Sequence, residues 1–221
     1  MNRRPKTLLD KPLFNDWALY AWISVPVSLV MVWGMVVGNL RSGPGISELI
    51  QLSVRLSIPW LYLAFAASSL QVLFPGAFSR WLLRNRKIMG LCFATAMGWQ
   101  LLFILWMVIL YSDYYANEVY VFTDLLEGVV GYAFLMAMTI TSFKFGRRYL
   151  SSGSWKLLHK CGIYALWGYA WLVYWYAIFY YESPDAIDYL YYLTGTLAWG
   201  LRIAAWVTKR RRQALRTAVA S

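Results

Sequence analysis

At 221 residues, 60% hydrophobic and 19% aromatic but only 14% charged, the chain lacks the composition of a soluble domain, which carries about 25% charged residues. Its net charge of +11 would suit a nucleic-acid partner, but the basic residues stand in short clusters between apolar runs, where the expected contacts are lipid headgroups and water. Membrane lipids are therefore expected partners and nucleic acid is not.

The opening stretch MNRRPKTLLDKPLFNDW is basic and polar, and the apolar run after it is long and has no small-residue cleavage site. The first hydrophobic segment is expected to remain in the mature protein. A helix needs about 20 apolar residues to cross the hydrocarbon core. Six stretches qualify: Trp17 to Val37, Ser53 to Phe74, Ile88 to Tyr111, Val119 to Phe143, Trp155 to Tyr181, and Ala186 to Val207. They are too long and too evenly apolar for barrel strands. The expected fold is an all-α integral membrane protein, a six-transmembrane-helix bundle over residues 17–207, with a basic arm (1–16) before it and a basic tail (208–221) after it. The stretch from Trp155, opening WKLLHKCGIYALWGYAW and holding the only histidine, His159, is expected to be the element around which the others pack.

Orientation follows from the loops. In a six-span arrangement all basic residues except Arg41, Arg55 and Arg202 fall on one side, while Glu48, Asp113, Glu118, Glu182, Asp185 and Asp188 fall on the other. The positive-inside rule then places both termini in the cytoplasm, and the chain as a multi-pass protein of a cytoplasmic-type membrane. Short loops predict antiparallel neighbours in one bundle. Ala64, Ala66, Ala67, Ser68 and Ser69, together with Gly128 and Gly131, permit close helix approach. Tyr111, Tyr114, Tyr115, Tyr180, Tyr181, Tyr189, Tyr191 and Tyr192 crowd the span ends as an interfacial belt. Ser42 to Ile46, reading SGPGI, is expected to be a turn.

Ionisable and polar groups at membrane depth are the candidate functional residues. His159 admits two readings, a heme-iron ligand or a structural hydrogen-bonding group. Gln100 suits interhelical bonding through its amide. Asp124 and Glu127 share a helix face and could hold a proton or cation, and Arg55 begins the second span on the same side and could pair with one of them. Arg202 is expected to snorkel toward the headgroups. Thr139, Thr141 and Ser142 are expected to bond back to their own helix. Cys92 and Cys161 lie in apolar segments at no metal-ligand spacing and read as small buried residues. There is no nucleophile motif, phosphate-binding glycine loop or zinc spacing.

Two ordered blocks carry a resemblance. Ser68 to Ala94 reads SSLQVLFPGAFSRWLLRNRKIMGLCFA, and Thr141 to Lys160 reads TSFKFGRRYLSSGSWKLLHK. Over residues 60–205 the chain resembles the ferric-reductase-like transmembrane domain family, in layout its small heme-binding subunits that serve periplasmic methionine sulfoxide reductase. The resemblance implies electron transfer through heme b held by histidines on the third and fifth spans, in the inner membrane. His159 falls on one ligand position; the other two fall on Gln100, ten residues after Gly90, and on Leu172, thirteen after His159. An amide is a poor iron ligand and leucine is none. Met97 and Met107 could supply a thioether, but nothing in the sequence sets them opposite His159.

Three readings follow. The first is a heme-free, degenerate family member serving as scaffold or partner subunit of a larger membrane complex, with no catalytic activity by itself. The second is an electron-transfer subunit binding heme b through His159 and a further ligand, a component of an oxidoreductase. The third is a small ion or proton transporter using Asp124 and Glu127. The missing ligands favour the first.

Overall fold

A computed structural model describes residues 8–180 and 183–220, together with all side chains there except those of 122–124 and 219–220. Among these described residues all regular structure is helical. Two short 3-10 turns, Leu8–Asp10 and Pro12–Phe14, lead into α1 (Asp16–Val37), α2 (Gly43–Leu73), α3 (Ala77–Arg84) and α4 (Arg86–Leu110). Then come α5 (Ser112–Tyr114), a π turn at Tyr115–Val119, α6 (Phe122–Thr141), α7 (Lys144–Arg147), α8 (Ser152–Phe179) and α9 (Ala186–Ala220).

The helix starts are set by local chemistry. SGPGI is not a free-standing turn: the Ser42 hydroxyl accepts from the Gly45 amide at 3.3 Å, and Pro44 sits in the first turn. Serine at the cap and proline just inside are strong start signals, so α2 begins at Gly43 rather than at Ser53. Ser151 caps α8 in the same way, accepting from the Ser154 amide at 3.0 Å. Past Val207, α9 continues without a break, so the basic tail prolongs a helix of 35 residues.

Three helices, α1, α2 and α4, are long and apolar enough to cross a bilayer. Among the described side chains α6 offers the apolar run Leu125–Thr141 within a helix of 20 residues. With 28 residues, α8 has the length, but Tyr and Trp replace aliphatic residues along it. Large apolar side chains are exposed on the outer helix faces, among them Trp22, Leu29, Trp33 and Val36 of α1 and Leu197 and Trp206 of α9. Such faces suit burial in lipid or against a partner, and together with the three long apolar helices they give the chain the character of a membrane protein.

The centre of the bundle is α2, not α8. It packs most extensively on α4, then on α9, and also meets α1, α3 and α8. Its small residues allow this: Ala64, Ala66, Ala67 and Ser69 are buried, and the buried hydroxyls of Ser53 and Ser57 bond back to the carbonyls of Ile50 and Val54 at 2.6 and 2.8 Å. Other close approaches fall where the sequence did not point. A Cβ on Gly128 or Gly131 would meet nothing, whereas one on Gly162 would meet the Met138 sulfur, and one on Gly195 would stand 2.6 Å from the Tyr62 hydroxyl. Glycine is needed at the α6–α8 and α2–α9 contacts because the neighbouring side chains occupy that volume.

Asn85, fully buried at the α3–α4 corner, fastens the N-terminal arm. Its amide nitrogen donates to Asn15 Oδ1 at 2.9 Å and to the Trp81 carbonyl at 3.1 Å, while its Oδ1 accepts from the Asp16 amide at 3.1 Å. Arg84 adds bonds to Asn15 Oδ1, and the Trp81 indole donates to the Phe14 carbonyl at 2.7 Å.

Candidate functional site

The antiparallel course of the helices gathers charge by sign. The start of α2 and the region entering α9 form an acidic end; the starts of α4 and α8 and the end of α6 form a basic one. At the acidic end Arg55 pairs with Asp185 at 2.6 Å, both side chains partly exposed. Among the described residues this is the partner of Arg55, in place of the expected Glu127. Glu127 is exposed and takes part in no ion pair among the described residues. The Asp124 side chain lies outside the described residues.

The basic end encloses a cavity of about 480 Å³ between α2, α4, α6, α8 and α9. Arg86, Lys87, Lys156, Lys160 and Arg202 line it with His159, and no carboxylate does. Its apolar wall is Leu61, Phe93, Leu135, Ile163 and Leu166. The two arginines are held inward by main-chain acceptors: Arg86 Nε donates to the Ala64 carbonyl at 3.0 Å, and an Arg202 terminal nitrogen donates to the Phe65 carbonyl at 3.0 Å. The Arg202 guanidinium also lies 4.3 Å from the Phe65 ring centre and 4.4 Å from that of Tyr164, two rings set edge to face, a cation–π contact with each. Arg202 therefore does not snorkel. The small residues of α2 leave carbonyls open to it, and two aromatic faces take the place of water.

His159 sits at the rim of this cavity, half-buried, its ring 4.4 Å from that of Trp155. The Trp155 indole donates to the Thr141 carbonyl at 3.1 Å, and Arg147 covers its face at 4.9 Å. The Thr141 hydroxyl donates to the Ala137 carbonyl at 2.7 Å and lies 3.1 Å from His159 Nε2. The two share a hydrogen bond whose direction is set by the imidazole tautomer. Thr141 thus does more than bond back to its own helix; it ties α6 to α8. Ser142 bonds only backward, to the Met138 carbonyl at 2.7 Å.

The other two positions at which the resemblance would put heme ligands, Gln100 and Leu172, lie elsewhere. Gln100 Oε1 accepts from the Tyr132 hydroxyl at 2.8 Å, linking α4 to α6, and Leu172 is half-buried on α8. Met107 belongs to the cluster of Met31, Ile46, Leu49 and Phe103, and Met97 packs on the central core; neither lines the cavity of His159. Met138 does, but its sulfur fills the space above Gly162. Between α2 and α8 the interior is filled by Phe65, fully buried and stacked on Trp167 at 5.2 Å. A b-type heme needs two imidazoles facing one another, and a donor set with one histidine does not fit it. Cys92 is buried as expected; Cys161 is exposed, because it faces away from the bundle. Among the described residues no cluster of His, Cys, Asp and Glu could hold a metal ion.

Sequence reading counted Arg86, Lys87, Lys156 and Lys160 as loop charges only. The signal available was that they bracket the same end as His159; that Arg86 turns inward depends on how α4 is rotated against α2. No protein-family model, curated protein or solved structure matches the chain.

Proposed function

We propose that the chain is a heme-free member of the ferric-reductase-like membrane family: a six-helix subunit of the inner membrane, both termini cytoplasmic, that serves as a scaffold for a larger membrane-protein partner. The observation that carries this reading is how the three positions where the resemblance puts heme ligands are used. His159 spends Nε2 on Thr141 and Gln100 its carbonyl on Tyr132, while Leu172 has no donor atom. His159 and Gln100 thus link α8 to α6 and α4 to α6. The six-span arrangement is supported by the collection of basic side chains at one end and by the length of α8 and α9.

The test is a reduced-minus-oxidised absorption spectrum of the detergent-purified, folded protein, with heme measured against protein. A flat spectrum is expected. A b-type band at near-stoichiometric heme would overturn the reading and make the chain an electron-transfer subunit.

A further inference from the structure

Arg86 and Arg202 come from different helices, α4 and α9, yet hang from adjacent carbonyls of α2, those of Ala64 and Phe65, near enough for their charges to repel. Both side chains are only partly exposed, and two like charges so placed favour an anion between them. Among the described residues the ion pairs are Arg55–Asp185 and Arg84–Asp10, so neither cavity arginine has a carboxylate partner. The carbonyl bonds take one nitrogen from each guanidinium, leaving further N–H groups to bind an acceptor in the fork geometry that suits phosphate.

We propose that this cavity binds a phosphate group, carried by an anionic membrane phospholipid. The guanidiniums of Arg86 and Arg202 hold the phosphate, Lys156 and Lys160 at the exposed rim add attraction, and the acyl chain lies on Leu135, Ile163 and Leu166. The apolar wall favours the lipid over a free phosphate, which would leave that wall unused. The volume of about 480 Å³ exceeds what a bare ion fills and falls among sites for organic ligands. Basic pockets between membrane helices on the cytoplasmic side suit anionic headgroups. The inference stands on the cavity alone and goes beyond the scaffold role, so a heme band would not by itself remove it, nor would absence of lipid binding restore heme.

The test is a lipid titration of the delipidated, detergent-purified chain followed by native mass spectrometry, using phosphatidic acid, phosphatidylcholine and inorganic phosphate as probes. One phosphatidic acid per chain is expected, bound roughly tenfold or more tightly than phosphatidylcholine. The double variant K156Q/K160Q should weaken phosphatidic acid binding several-fold with the melting temperature of the unliganded protein unchanged, since both side chains are exposed. R86Q should weaken it further, and R86K should restore part of the loss. Binding of inorganic phosphate that displaces phosphatidic acid at equal concentration would keep the phosphate site and assign it a soluble source. Equal binding of phosphatidic acid and phosphatidylcholine, or no change in either the lysine or the arginine variants, would overturn the proposal.

Discussion

The hydroxyl of Tyr191 on α9 donates to the main-chain carbonyl of Arg55 on α2 at 2.8 Å. That carbonyl would ordinarily accept from the amide of residue 59, but residue 59 is a proline inside the helix and has no N–H to give. In a membrane an orphan carbonyl has no water to turn to. Tyr191 supplies the missing donor, and so the proline break in α2 and the docking of α9 are one feature.

Tyr191→Phe is expected to destabilise the protein by about 1 kcal/mol, because it removes the donor to a partly buried carbonyl that the helix itself leaves unpaired. Tyr174→Phe is the control: its buried hydroxyl has no hydrogen-bond partner among the described residues, so its removal should be neutral or slightly stabilising. Unfolding in mixed micelles, monitored by circular dichroism, would separate the two; equal effects would contradict the role given to Tyr191.

Asn85→Ala should cost about 1–3 kcal/mol, since its side chain satisfies partners on Asn15, Asp16 and Trp81 from a fully buried position. The loss should be local first. Limited proteolysis is expected to cut residues 8–15 faster in the variant than in the wild type, while the rest of the chain stays protected.

Gly195→Ala should be destabilising by about 1–3 kcal/mol through overpacking, because the new methyl would meet the Tyr62 hydroxyl at 2.6 Å and the Trp171 ring at 3.1 Å. Gly128→Ala meets nothing and should be neutral or stabilising by up to about 1 kcal/mol, the helix propensity difference. The order of melting temperatures, Gly128→Ala at or above wild type and Gly195→Ala below, checks the helix contacts directly.

His159→Ala should lower stability by about 1 kcal/mol, the value of a typical net hydrogen bond, through loss of the bond to Thr141 and the contact with Trp155. Abundance in the membrane should remain near that of the wild type, as should the visible spectrum. Thr141→Val should reproduce the loss, and the double variant should cost less than the two singles added, since both remove the same bond.

A reporter fused after Ser221 should be active only in its cytoplasmic form, given that the basic residues gather at the end of the bundle where α9 finishes. A periplasmic signal would invert the proposed orientation and would also move the phosphate cavity to the opposite leaflet.

Much of the helix content could be read from the chain because hydropathy and capping are local. Composition alone marks α1, α2 and α4 as apolar helices, and the segregation of Lys and Arg from Asp and Glu follows from counting loops. The start of α2 at Gly43 was also open to local reading, for Ser42 and Pro44 are cap chemistry rather than turn chemistry. The resemblance to the ferric-reductase-like family marked His159, Gln100 and Leu172 as positions to inspect, and their residue types alone argued against a pair of heme ligands.

Partnerships between helices were not legible, because they depend on how each helix is rotated and how closely its neighbours approach. Arg55 finds Asp185, 130 residues away, rather than Glu127 of α6. Arg202 turns inward to a carbonyl 137 residues away because Phe65 and Tyr164 present their faces there. Arg86 and Arg202 become neighbours only when α4 and α9 both pack on the small-residue face of α2. Sequence by itself determined which segments are helical and which end of the bundle is basic, since both follow from residue type and order. Only the tertiary structure decided that the basic end holds a cavity, because enclosing one requires five helices to meet.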